Sequence, residues 1–520
     1  MIRRDFLRLG AASFAVAALG ITTACSGDAG DGATQSGGAT PSGGGTGGGE
    51  LVMGLITAPM SFDPSIAEWG NRLPYYQAAY DTLLVATPEA TIEPWLATAF
   101  EYDEAQTTLT LTLRDDVTFS DGEKLNAEAV AISMNRFKTG TGPDAGYMTN
   151  VDTITADGES TVVVTFTAPD PAFLNYLTRT AGLVASPAAV ENPDLATNPV
   201  GSGPYTLDVA NTVTNTSYTF LKRDGYWNPD VQHYDRIVMR VFEDATAMLN
   251  ALRAGEINYA KLASAETFAE AEGAGWTLNK NELDFQGLLL FDRGGVQTPE
   301  LADVRVRQAI NHVFDRPAML QAVALGYGTV TAQVFPPTSD AYDEALDERY
   351  PFDVEKARAL MKEAGYEAGF SMDMPSSPVL GSTVYALIAQ QLSEINITVN
   401  DVQPGQNFIA DLLAPKFSAA FMALEQNPDW QLTQFMIAEN AVFNPFKYAD
   451  PKVAGILDEY RTADDARRIE LIKELNAHIV EEAWFAPFYR VNGVIATDPQ
   501  TTVEMLPTNT IPNLYDTKPA

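Results

Sequence analysis

The chain has 520 residues and is 46% hydrophobic, 10% aromatic and 19% charged, which excludes global disorder, collagen and coiled coil and predicts about three folding units. With 33 Lys+Arg against 68 Asp+Glu the net charge is -35; such a chain repels nucleic acid, because phosphate binding needs clustered cations, and gains nothing from an anionic lipid surface. The single Cys, Cys25, excludes an internal disulfide, a Cys-based zinc site and an iron–sulfur cluster, and the three His (His233, His312, His478) are far apart in sequence, so neither a metal nor a cofactor is expected.

Residues 1–24 read as a signal peptide. Arg3, Arg4 and Arg8 form a basic start, and Leu9 to Ala24 is apolar, uncharged and short for a membrane span. Arg3-Arg4-Asp5-Phe6-Leu7-Arg8 resembles a twin-arginine export motif; Ile2 stands where Ser or Thr is usual, which leaves the general export pathway open. Thr22-Thr23-Ala24-Cys25 resembles a bacterial lipobox, with Thr22 in the usual Leu position, and marks Cys25 for lipidation. Ser26 to Gly49 holds eleven Gly in twenty-four residues. Residues 25–49 are therefore expected to be a lipid-anchored, flexible tether spanning roughly 25–30 Å, holding a body on the outer face of the cell membrane, in a periplasm or at the cell surface.

From Glu50 onward the chain reads as mixed α/β. Leu51–Ile56 predicts a short buried strand. The alternation Thr107 to Arg114 predicts a half-buried strand. Asn126–Phe137 predicts a helix with Ala127, Val130, Ala131 and Met134 on one face. Strands are predicted at Thr161–Phe166, Tyr218–Arg223 and Arg236–Phe242, and a helix at Thr246–Ala254, ended by Gly255. Phe285–Phe291 predicts an apolar strand interrupted by Gln286 and Gly287. Helices follow at 304–313, 316–325, 354–364 and 385–394, then a strand at Ile397–Val402. A long helix, 466–482, precedes the apolar run Trp484–Tyr489. Loose alternation of strands and helices argues for α/β lobes rather than a sandwich.

Enzyme signatures are missing. There is no G-x-S-x-G elbow, no H-E-x-x-H and no phosphate-loop Lys. The adjacent carboxylates Asp115-Asp116 and Glu481-Glu482 read as solvated, and His312 reads as structural. No catalytic residue is assigned.

Several segments occur in a telling order: Tyr80-Asp81-Thr82-Leu83-Leu84, Pro94-Trp95-Leu96-Ala97, and Leu113-Arg114 through Asp121-Gly122 before Ala127-Glu128-Ala129-Val130. Then come Pro199-Val200-Gly201-Ser202-Gly203-Pro204-Tyr205, Tyr226-Trp227 with Tyr234-Asp235-Arg236-Ile237, Ala251 through Asn258, and Val304 through Ile310 with Asp315-Arg316. Together they resemble the bacterial extracellular solute-binding proteins of family 5, the peptide/nickel class of binding proteins for ABC importers, over about residues 51–495.

The resemblance implies a two-lobed periplasmic-binding-protein fold of type II with an additional third domain. It puts lobe I at 50–70, 190–280 and 480–520, the extra domain at 71–189 and lobe II at 281–479. It implies a monomer that captures a small-molecule or peptide ligand between the lobes, closes by a hinge and delivers it to the permease subunits of an ABC transporter. The turns Leu113–Gly122 and Gly201–Tyr205 are expected to be scaffold. In the family's peptide binders an Asp three residues after a Trp grips the peptide amine. Here Trp430 is followed at that distance by Thr433, and Asp429 precedes the Trp. Either Asp429 takes the amine, or no amine is bound. Glu425 and Gln426 could read a peptide or a sugar, and Trp430 could cover a ligand or pack within its lobe. Tyr489 is expected at the cleft or in hinge packing. Met60 and Ser61 follow the first strand, where ligands lie in open α/β sheets. An oligosaccharide or a metal chelate is the alternative cargo; an anchored sensor or hydrolase is the rival class.

Overall fold

The computed structural model describes residues 49–424 and 428–520. The export segment, Cys25, the tether up to residue 48, and Glu425 and Gln426 lie outside the described residues.

Among the described residues, one nine-stranded sheet runs Ala419–Leu424, Thr277–Leu290, Phe485–Thr497, Tyr259–Leu262, Glu50–Leu55, Arg236–Val241, Ser217–Lys222, Tyr205–Leu207, with Gly328–Val330 also paired to Phe485–Thr497. Glu50–Leu55 is parallel to both neighbours. Thr277–Leu290 and Phe485–Thr497 are antiparallel to each other and much longer than the rest, at 14 and 13 residues. Their partners change along their length. Residues 494–497 pair with Tyr259–Leu262, whereas Phe285–Leu290 pair with Ala419–Leu424. Between Glu282 and Phe285 the register of the two long strands slips. The sheet thus has two halves carried by one pair of crossing strands.

The predicted strand Phe285–Phe291 is the apolar half of the first crossing strand. Its other half, residues 277–284, is largely polar and was not predicted. Those polar groups are used: Asn279 Nδ2 donates to the Ile495 carbonyl at 3.1 Å and Asn281 Nδ2 to the Leu506 and Asn509 carbonyls, each at 2.7 Å. Ala419–Leu424 and Tyr259–Leu262 were also not predicted, because a short apolar run does not distinguish strand from helix by period.

A second sheet of four antiparallel strands runs Ala97–Tyr102, Thr108–Leu113, Thr161–Phe166, Val151–Asp157. The Thr-Leu alternation acts as a two-residue period should: Leu109, Leu111 and Leu113 are buried and Thr112 is exposed. Helix Ala127–Thr139 packs beside this sheet with Ala127, Val130, Ala131 and Met134 buried; the Asn126 side chain caps it by accepting from Ala129 N at 2.9 Å. The core under this sheet is continuous with residues from 285–485, including Phe285, Trp430, Leu471 and Trp484. A separate core gathers Leu51, Met53, Tyr75, Tyr76, Tyr80, Phe220 and Ile237, so helix Leu73–Ala79 packs with the strands of the first half-sheet. A third core lies around Leu288, Ile310, Ile388 and Phe421.

The segments 80–84, 94–97, 113–122, 199–205 and 226–227 converge on Asp81. This carboxylate is fully buried and accepts from Trp95 Nε1 (2.8 Å), Ser202 Oγ (2.9 Å), Tyr226 OH (2.7 Å) and Trp227 Nε1 (3.1 Å). Arg114 lies 4.0 Å over the Trp227 ring, and Arg223 donates to the carbonyls of Thr118 and Ser202. Gly201 and Gly203 press against Ala79 and Tyr80 so closely that a Cβ on Gly203 would sit 2.4 Å from the Ala79 carbonyl carbon. These turns are packed as scaffold around one buried anion.

Candidate functional site: the cleft between the half-sheets

The crossing strands pass along a cleft of about 420 Å³. Parallel strands Glu50–Leu55 and Tyr259–Leu262 end at the same edge, so Ile56 and the turn Leu262-Ala263-Ser264 line one wall, as expected for the carboxyl ends of α/β strands. Ser264 begins helix Ala265–Gly273. Asp284 and Gln286 come from the first crossing strand, Val491, Asn492 and Gly493 from the second, and Ala423 and Tyr327 from the other half-sheet's side. Groups from both halves of the fold therefore face one space.

The charged groups of the cleft are unequal. Lys261 is buried and Glu266 is exposed. Asp284 Oδ1 is buried with no hydrogen-bond partner among the described residues. Burial pushes the Asp284 carboxyl up, and the charge of Lys261 opposes this. Gln286 accepts from the Tyr489 hydroxyl at 3.1 Å.

The expected site residues are distributed as follows. Tyr489 is fully buried and reaches the cleft through Gln286. The loop after the first strand is clamped by Arg72, which donates to Ala58 O (2.8 Å) and Thr57 Oγ1 (3.0 Å). It is Ile56 of this region that lines the cleft; Met60 is 60% exposed, and Ser61 is buried with its Oγ accepting from Asp63 N at 2.9 Å. Asp429 and Trp430 open the short helix Asp429–Leu432. Trp430 is buried, stacked on Tyr460 with centroids 5.3 Å apart and covered by Arg461 at 4.9 Å. Ser339 Oγ donates to Asp429 at 2.5 Å, and burial together with the charge of Asp340 raises its carboxyl to about 6. Met60, Ser61, Asp429, Trp430 and Tyr489 are not among the residues lining this cleft.

Lys261, Asp284 and Asn492 escaped sequence reasoning. A usable signal was present at Gln286, a polar residue in an otherwise apolar strand, since a polar side chain buried mid-strand needs a partner or a ligand.

Two α/β halves joined by crossing strands with a cleft between them define a periplasmic binding protein of type II fold, and solved structures agree. HbpA2 from Haemophilus parasuis matches with TM-score 0.80 at 22% identity, covering 91% of this chain and 100% of that one. DppA from Helicobacter pylori in complex with the peptide STSA matches with TM-score 0.73 at 22% identity, over 91% and 98%. NikA from Brucella suis in complex with Fe(III)-EDTA matches with TM-score 0.77 at 20% identity, over 91% and 100%. In sequence, the glutathione-binding protein GsiB of Escherichia coli (strain K12) is 29% identical over 431 residues, 78% of this chain and 82% of that protein. The family model for bacterial extracellular solute-binding proteins, family 5 Middle, matches residues 91–441. The chain belongs to this family and is a solute-binding protein of the ABC-importer type.

Proposed function

We propose that this protein is a lipid-anchored extracytoplasmic receptor that captures a short peptide or similarly small polar solute and delivers it, as a monomer and without chemistry, to an ABC permease. The observation that carries the reading is the cleft itself: polar groups from both half-sheets face one space between them, which fits a solute enclosed between two lobes. Lobe I at 50–70, 190–280 and 480–520, an extra domain at 71–189 and lobe II at 281–479 remain the proposed division. The first range is supported by the strands it holds; helix Leu73–Ala79 shares its core and extends it. A peptide cargo is supported by DppA, solved with a peptide, and by GsiB, named for glutathione. NikA, solved with Fe(III)-EDTA, keeps a chelate as the second cargo.

Anchoring rests on Cys25 at the end of the apolar segment. Cys25→Ser is expected to release the protein from the membrane fraction; retention there would overturn it. Solute capture is tested by native mass spectrometry of residues 47–520, one compact unit, after exposure to peptide, oligosaccharide and metal-chelate libraries. One retained class is expected, with thermal stabilisation of about 2.7 kcal/mol at a hundredfold excess over Kd. Turnover of the bound compound would favour a hydrolase.

A further inference from the structure

Tyr327 sits in an unusual stretch of backbone. Helix Arg316–Ala324 ends at Leu325 in the left-handed conformation, with φ 51°. Gly326 (φ 82°) and Gly328 (φ 145°), on either side of Tyr327, also have positive φ. Gly328 is tightly packed as well: a Cβ there would lie 2.1 Å from the Arg490 carbonyl oxygen. Side chains larger than hydrogen disfavour such backbone, and strain of this kind gathers at clamps and switches. Here it surrounds one side chain.

That side chain crosses the cleft. Its turn belongs to the half built around Leu288, Ile310 and Phe421: helix Arg316–Ala324 buries Met319 and Leu320 in that core, and Gly328–Val330 pairs with residues 489–491 of the second crossing strand. The Tyr327 ring packs instead against a different core, that of Met248, Leu252, Phe268 and Val494, beside the first half-sheet. It meets Phe268, in helix Ala265–Gly273, edge-on, with centroids 5.3 Å apart and planes at 85°. Lys280 Nζ lies 5.2 Å from the centroid of the same ring. Phe268 and Tyr327 both line the cleft. A contact on the cleft's side of the crossing strands forms when the two halves are close and is lost when they part.

We propose that Tyr327 is a positioning residue for solute capture: its ring, packed on Phe268, latches the two halves together and holds the cleft narrow before a solute arrives. Apparent affinity scales with the fraction of protein already in the binding-competent state. Removing the ring therefore weakens capture by opening the unliganded protein. This deepens the proposed function and rests on its assignment of the cleft as the solute site.

The test uses residues 47–520, which contain no Cys. Spin labels are placed through Glu272→Cys and Gln321→Cys, two exposed positions on helices Ala265–Gly273 and Arg316–Ala324. Pulsed electron resonance then reads the distance between the halves without solute. The unaltered protein and Tyr327→Phe are expected to share one narrow distribution. Tyr327→Ala and Phe268→Leu are expected to give longer, broader distances. In parallel, short peptides, maltooligosaccharides and nickel and iron chelates are screened by native mass spectrometry, and the retained class is titrated by calorimetry. Affinity is expected to fall about tenfold in Tyr327→Ala and in Phe268→Leu and to be kept by Tyr327→Phe. Unchanged distances in Tyr327→Ala overturn the latch; if affinity falls all the same, Tyr327 is a direct solute contact. Longer distances with unchanged affinity overturn the role in capture. If Tyr327→Ala does not fold, Phe268→Leu decides. If the unaltered protein retains no solute class, the proposed function fails, and the distances alone still decide the latch.

Discussion

Ser202 Oγ donates to Asp81 Oδ2 at 2.9 Å across 121 residues of sequence. Tyr80, on one side of that aspartate, belongs to the core of the first half-sheet, and Leu83, on the other, to the core that runs under the four-stranded sheet. Asp81 therefore fastens two cores at the point where the chain leaves one for the other. Its carboxyl is raised by burial, with its four donors pulling it back.

Asp81→Asn keeps the side-chain volume but turns one acceptor into a donor group facing other donors. We expect a loss of about 3 kcal/mol, read as a lower denaturant midpoint. An unchanged midpoint would mean that the four donors find other partners.

Gly203→Ala places a methyl 2.4 Å from the Ala79 carbonyl carbon and 2.5 Å from Tyr80 N, both backbone atoms that cannot swing away. A loss of about 3 kcal/mol or failure to express is expected. Gly455→Ala is the control: within helix Pro451–Tyr460, with nothing inside 4 Å of the new methyl, it should gain roughly 0.5–1 kcal/mol.

Asp429 predicts a pH effect of defined sign. Its ordinary value of 3.8 rises to about 6 in the fold. Between those values the folded state keeps a proton that the unfolded chain has lost, so this group's contribution to stability falls as pH rises from about 4 to about 6. Asp429→Asn should be more stable than the unaltered protein at pH 7.5, by about 3 kcal/mol at most. The difference should vanish below pH 4. Thermal melts across pH measure it, and peptide titration on the same variant tests whether Asp429 also takes a ligand amine.

Tyr489→Phe removes the hydroxyl that holds Gln286 at the cleft. Solute affinity should fall about fivefold with little change in melting temperature, because the ring stays packed against Phe488. A large drop in melting temperature with unchanged affinity would assign Tyr489 to hinge packing alone.

Much of this fold was legible because its signals are local. Thr108–Leu113 and Thr161–Phe166 show a two-residue period, helix Ala127–Thr139 has its Asn126 cap and apolar face, and the runs around Asp81, Ser202 and Trp227 follow one another in a family-specific order. The cleft was less legible. Met60 and Ser61 were expected beside it from the end of the first strand, but the clamp that Arg72 puts on Thr57 and Ala58 leaves Ile56 as the residue of that region lining the cleft.

The sequence by itself determined the α/β class and the family, both carried by neighbouring residues or by composition. Only the tertiary structure decided which polar groups meet. Lys261, Asp284 and Asn492 lie on three strands separated by long stretches of chain, and no local period marks them. They share a cleft because Thr277–Leu290 and Phe485–Thr497 run antiparallel between the two half-sheets. Whether a polar residue ends in water, in a core or in a binding site depends on what strand pairing brings opposite it.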